Sequence, residues 1–252
     1  QGLVDSVSTP VIVVGAPENE TPDASTVTNP PQVDAPPIVS LDPSQSNNEL
    51  NIEIGTVSID HEWVKVFFEN TFSQPVVLAS PPTVNGTDPV LVRIRNIDQE
   101  GFEIRLQEWN YQDQWHYPET VSYIVIEKGI YTLDNGIKIE AGSFTGATTF
   151  QQVSLQQTYD LSPVILTQVI TNNGTDAITN RVDGVSQISF FHKLQEQETT
   201  QTDHPNADTI AYIAWEPGQG EVYGLLYEIG ITGASVTHDW FDLTFQTEFP
   251  DL

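Results

Sequence analysis

The sequence predicts an all-β protein: tandem antiparallel β-sandwich domains with an extended proline-rich N-terminal segment. Three observations carry this. Strand-like alternation is clearest in Gly101-Phe102-Glu103-Ile104-Arg105-Leu106-Gln107-Glu108, where Phe102, Ile104 and Leu106 fall on one face and Glu103, Arg105 and Gln107 on the other. The pattern returns as Ser189-Phe190-Phe191-His192-Lys193-Leu194-Gln195-Glu196, with an offset of 88 each time (190 − 102, 194 − 106, 195 − 107). A fixed offset held over many positions marks a repeated unit. Finally, short apolar runs are separated by Gly, Asn, Pro and Asp, and no convincing helical pattern interrupts them, which favours sandwiches.

Along the chain, residues 1–50 read as a proline-rich arm or a partial repeat. Val11, Ile12, Val13 and Val14 could form a strand, and Pro17, Pro22, Pro30, Pro31, Pro36, Pro37 and Pro43 follow. Proline lacks a ladder donor, so an extended arm is expected there. The first sandwich is expected over 51–140, with strands Ile52–Ile59, Trp63–Phe68, Pro75–Ala79, Val90–Asn96, Phe102–Glu108 and Val121–Glu127. Asn85-Gly86 reads as a turn because glycine accepts positive φ. The second sandwich is expected over 141–230. Pro75-Val76-Val77-Leu78 becomes Pro163-Val164-Ile165-Leu166, and Asn85-Gly86-Thr87-Asp88 becomes Asn173-Gly174-Thr175-Asp176. His116 becomes His204, and Tyr123-Ile124 becomes Tyr212-Ile213 after a one-residue slip. Loops absorb such insertions while strand cores hold register.

A third copy begins within 231–252. Ser235-Val236-Thr237-His238-Asp239-Trp240 repeats Ser58-Ile59-Asp60-His61-Glu62-Trp63, and Phe245 and Phe249 repeat Phe68 and Phe72 at an offset of 177. At the other end, Pro10-Val11-Ile12-Val13-Val14 resembles Pro75-Val76-Val77-Leu78-Ala79. The two partial pieces, with Trp240, Leu243 and Phe245 on one and Val11–Val14 on the other, could complete one domain between neighbouring chains by strand addition. Such a contact is head-to-tail and builds a filament, so self-association is the expected partnership. An excerpt from a longer tandem array explains the same ends.

Composition narrows the function classes. Thirty-five acids against 8 Lys and Arg give a net charge of −27, which argues against nucleic acid and anionic membrane surfaces as partners. Without cysteine, disulfides, thiolate metal sites and cysteine nucleophiles are excluded. No apolar run nears the roughly 20 residues needed to span a bilayer, so no membrane insertion is expected. The chain opens on Gln1, as a processed secretory protein or a fragment would. These features point to an extracellular or cell-surface protein. No nucleophile elbow, phosphate loop, HExxH or zinc pattern appears, so an enzyme is not expected.

The order of motifs within one unit resembles the H-type lectin domain. An early Gly…Trp segment is followed by an aromatic strand (Val66-Phe67-Phe68), a Pro-Val-Val-Leu strand and an Arg-bearing strand (Leu91-Val92-Arg93-Ile94-Arg95). Gly101-Phe102, Trp109 and Val121-Ser122-Tyr123-Ile124 complete the pattern. The resemblance implies a six-stranded antiparallel sandwich, binding of galactosamine-type or related glycans, and trimers. Arg93 falls where the family's sugar-contacting arginine lies, and Arg181 stands at the same place in the second copy. Asn110 replaces the family's His after Trp109, and the loop that carries the family's acidic sugar ligand is missing.

Two loops hold candidate sites. Trp109, Tyr111, Trp115, His116 and Tyr117 crowd one loop of the first copy. With Arg93 they could bind carbohydrate, since aromatic faces stack on sugar rings; the plain reading is a loop folded onto its own sandwich end. The second copy replaces that cluster with Glu196, Glu198, Asp203 and Asp208, which could hold Ca²⁺ as clustered oxygen ligands, or be solvated surface. No other cofactor is expected. The sequons at Asn19, Asn85 and Asn173 could be glycosylated, although two coincide with predicted turns.

Overall fold

The computed structural model describes residues 10–15, 49–196, 207–232, 236–237 and 239–249. The proline-rich stretch from Pro17 to Pro43 lies outside the described residues. The described elements are all strands, and every pairing between them is antiparallel.

The first unit packs two three-stranded sheets. One is β2 (Ile52–Ile59), β7 (Glu119–Glu127) and β4 (Pro75–Ala79), in the order β2-β7-β4. The other is β3 (Val64–Phe67), β6 (Gly101–Glu108) and β5 (Val90–Arg95), in the order β3-β6-β5. The alternation read in β6 decides its facing: Phe102, Ile104 and Leu106 are buried and pack with Val77, Val121 and Val125 from the first sheet. This is the expected six-stranded sandwich, built by alternating residues from two inner faces.

The second unit repeats it. β9 (Lys138–Thr145), β14 (Thr209–Trp215) and β11 (Val164–Val169) form one sheet, with β8 (Gly129–Thr132) added beside β9. β10 (Gln151–Ser154), β13 (Ser189–Glu196) and β12 (Ile178–Asp183) form the other. The unit boundaries differ from those expected. The limit at 140/141 falls inside β9, and β16 (Leu225–Ile231) is the first strand of the third unit although most of it lies before 231. Gly55 and Gly142 stand mid-strand at matched places in the two units. Gly55 pairs with Tyr123 and Gly142 with Tyr212, and in both a Cβ would collide with the tyrosine ring. The ring covers the glycine, and that close approach needs the missing side chain.

β15 (Gly218–Val222) and β16 form a hairpin like β8–β9, and β1 (Pro10–Gly15) pairs with β16 on its other side. The register decides which strand β1 imitates. Glu53 pairs with Val125, Glu140 with Ala214 and Glu228 with Val13. β1 therefore fills the slot of β7 and β14, not that of β4, and it does so within one chain. The expected match to Pro75–Ala79 is corrected here. Strands buried on both faces read as unbroken apolar runs, and such runs carry no period to distinguish one from another.

One apolar core joins the three sheets. Ile52, Val76, Leu78 and Ile126 come from the first unit, Ile139, Val164, Ile213 and Trp215 from the second, and Tyr227 and Ile229 from the third. β4 lies against β9, β11 and β14; β11 lies against β1 and β16. The step from first to second unit is thus repeated from second to third.

Candidate functional site: an unfinished third unit and an aromatic loop

Carboxylates set the loops of every unit. Glu53 accepts the backbone N–H groups of Glu69 and Asn70 at 2.9 Å. Glu140, fully buried, accepts those of Gln156 and Gln157 and the hydroxyl of Tyr212. Glu228 accepts those of Gln246 and Thr247 at 2.8 Å, and these bonds hold its carboxyl below the usual range. The described part of the third unit thus repeats the carboxylate anchor of the other two. The glutamates recur at 87 and 88 (140 − 53, 228 − 140), a signal that was available in the sequence and lost among 35 acids.

Past that anchor the described residues differ from the first unit. In the first unit Phe72 is buried in the sandwich core with Phe68 beside it. Their counterparts Phe249 and Phe245 stack at 5.6 Å, yet Phe245, Leu243 and Phe241 are exposed and Trp240 stands 92% exposed. Among the described residues no strand lies beside β1 at the place of β4 and β11, and none covers this face as β6 covers Phe68. A groove of about 460 Å³ runs between Ile229–Thr232 and Leu243–Gln246. Of the expected assembly residues, Val11–Val14 lie in β1, paired to β16, while Trp240, Leu243 and Phe245 border the open face.

The aromatic loop after β6 is built from a buried centre outward. His116 is buried between two carboxylates, with Nδ1 3.1 Å from Glu108 and Nε2 3.3 Å from Glu119. Burial pushes the Glu119 carboxyl up, but hydrogen bonds from Thr83, Gly86, Asn85 and His116 outweigh it and hold it low. Gly86 has no room for a side chain against the His116 ring. Around this anchor Tyr111, Trp115 and Tyr117 project outward. Trp115 meets Tyr117 edge-on at 4.6 Å and His61 at 5.8 Å. Trp109 is half-buried. The loop thus presents fixed aromatic surface.

Arg93 does not belong to that surface. It is fully buried, and it donates to the carbonyls of Thr171 and Asp176 and to Asn172 Oδ1 at 3.1–3.4 Å. Gln107 donates to the Thr175 carbonyl, and Asn110 bonds Asp176 and Ala177. The second unit's Asn173–Asp176 turn is seated on the outer face of β5 and β6. Burial pushes the Arg93 guanidinium down to about 10, with Asp208 opposing and Arg105 adding to the shift. Sequence position alone did not reveal that a neighbouring unit covers it.

Of the acidic cluster expected around the second histidine, Asp208 and Glu196 are described. Asp208 accepts Thr171 Oγ1 and the Asn173 N–H, as Glu119 accepts Thr83 Oγ1 and the Asn85 N–H. Glu196 is buried at the place of Glu108. Glu198 and Asp203 lie outside the described residues. Among the described residues no three His, Asp or Glu side chains gather as a metal site.

Comparison with known proteins adds one relative. The chain is 34% identical over 177 residues to Halomucin of Haloquadratum walsbyi, covering 66% of this chain and 2% of that protein. No known family and no solved structure matches the chain.

Proposed function

We propose that the chain is a non-enzymatic structural module of an extracellular or cell-surface protein, made of H-type-lectin-like sandwiches and joined to other chains through its third unit. The observation that carries the reading is the open face at Phe241, Leu243 and Phe245, of which Leu243 and Phe245 line a groove along the end of β16. An uncovered half-sandwich is a template for strand addition. Because β1 already fills the last-strand slot within the chain, the joining strands are those that would stand beside β1 and over Phe245. The similarity to Halomucin and the charge of −27 support an acidic surface protein. Electron microscopy of the protein beside Leu243→Asp/Phe245→Asp tests this. Assemblies that vanish in the variant support it; single particles in both refute it.

A second reading is carbohydrate binding, favoured by the exposed, anchored trio Tyr111, Trp115 and Tyr117. A glycan array with Trp115→Ala as control tests it: binding lost in the variant supports a lectin-like role, and silence of both proteins removes it.

A further inference from the structure

Two surfaces of the chain are halves of a contact that the chain itself makes once. The Asn173-Gly174-Thr175-Asp176 turn sits on Arg93 and Gln107 of the first unit. The first unit carries the same turn, Asn85-Gly86-Thr87-Asp88, with Asn85, Thr87 and Asp88 exposed. It is built alike. A buried carboxylate holds its backbone, and Asn85 Nδ2 bonds the Pro118 carbonyl at 3.0 Å as Asn173 Nδ2 bonds that of Ala207 at 2.7 Å. The second unit in turn carries the same socket. Arg181 pairs with Lys193 as Arg93 pairs with Arg105, and Gln195 stands for Gln107. Phe150 lies under Lys193 at 5.0 Å as Trp63 lies under Arg105 at 4.8 Å. Yet Arg181 is exposed, and among the described residues its hydrogen bond goes to Gln195 of its own sheet.

The shared core fixes where these halves belong. The sheets repeat the same step from first to second to third unit. A third unit placed by that step brings its own turn to Arg181, as the second brings its turn to Arg93. If three such steps close back on the first unit, the Asn85–Asp88 turn meets the third unit's arginine. Both vacant halves therefore belong to the part of the third unit that the described chain lacks.

We propose that the open third unit is a receptor for a segment of this same repeat, of the kind seen at 75–108: apolar strand, Asn-Gly-Thr-Asp turn, arginine strand, apolar strand. Its turn docks at Arg181 and Gln195, and its arginine receives the Asn85–Asp88 turn. This rests on the reading of the third unit as an assembly site, and it names the partner and the contact that selects it. Apolar strands alone would accept many segments; the turn and socket demand one with a fixed turn at a fixed spacing.

The test is the full chain carrying a second copy of residues 76–118 after Leu252, set beside the unextended chain. The extended protein is expected to be monomeric, with Trp240 shielded from acrylamide quenching. Arg181→Ala is expected to lower its Tm by about 5 °C and that of the unextended chain by under about 1 °C. Gln195→Ala gives a second, milder probe of the same difference. Equal shifts in both chains, a Trp240 that stays open, or aggregation of the extended chain would overturn the proposal. Assembly of the unextended chain is not a readout, so failure of the structural-module reading leaves this outcome separate.

Discussion

His192 gives the sharpest test of how the repeat is packed. It stands where the first unit has Ile104, and Asn180 stands where it has Val92. The second unit has thus replaced an apolar pair by a polar one, with Nε2 donating to Asn180 Oδ1 at 2.9 Å. Nδ1 is buried and has no partner among the described residues, and the Phe144 ring lies edge-on at 4.9 Å. Protonating Nδ1 would bury an unpaired N–H⁺, so burial pushes the imidazole from 6.5 down to about 4. The unfolded chain binds this proton more readily than the folded one between those values, so stability falls as pH drops through the window and is fully retained above it. The gap (6.5 − 4) at 1.36 kcal/mol per unit gives about 3 kcal/mol. Asn180→Val/His192→Ile should remove this loss. Denaturant unfolding of parent and variant at matched pH isolates it, because the carboxylates cancel in the difference. The variant's advantage should grow by about 3 kcal/mol from pH 7 to pH 4. A difference that does not change with pH would refute the reasoning.

Other outcomes follow from the same structure. Arg93→Ala should cost about 3 kcal/mol, since it removes a buried side chain and strips three half-buried acceptors of their donor, whereas Arg181→Ala in the unextended chain should cost under about 1 kcal/mol; thermal unfolding of both separates a covered arginine from an open one. Glu140→Ala should cost about 3 kcal/mol by freeing the Gln156 and Gln157 amides and the Tyr212 hydroxyl, measurable by urea titration. Added NaCl should raise the Tm, because it screens repulsion within a chain of charge −27; a Tm that is flat with salt would show that this repulsion does not limit stability.

The strands were legible because period and repeat agree. β2, β4 and β6 stand where alternation and apolar runs put them, give or take a residue, and the second copy followed from the offset of 88. The short strands β8 and β15 were not read. Gly129–Thr132 and Gly218–Val222 carry little apolar signal, and each is held as a hairpin beside a longer strand. The loop aromatics were legible as exposed surface, but the buried Glu108–His116–Glu119 centre beneath them was not. A histidine and two acids spaced over twelve positions look like solvated loop until burial is known. Arg93 failed for a related reason: the family likeness placed it by sequence, while the cover that removes it from solvent comes from residues 171–176, far along the chain. β1 was read as a strand that matches Pro75–Ala79 and completes the third unit of a neighbouring chain; its register with β16 places it in the same chain and in the slot of β7 and β14.

The proposed joining of chains through the third unit is open to sedimentation velocity over a hundred-fold concentration range, on the protein and on Leu243→Asp/Phe245→Asp. The parent's mass should rise with concentration in whole multiples of 27.9 kDa, and the variant should remain a single chain. A parent that sediments as a single chain throughout, or a variant that assembles equally well, would rule out that joining.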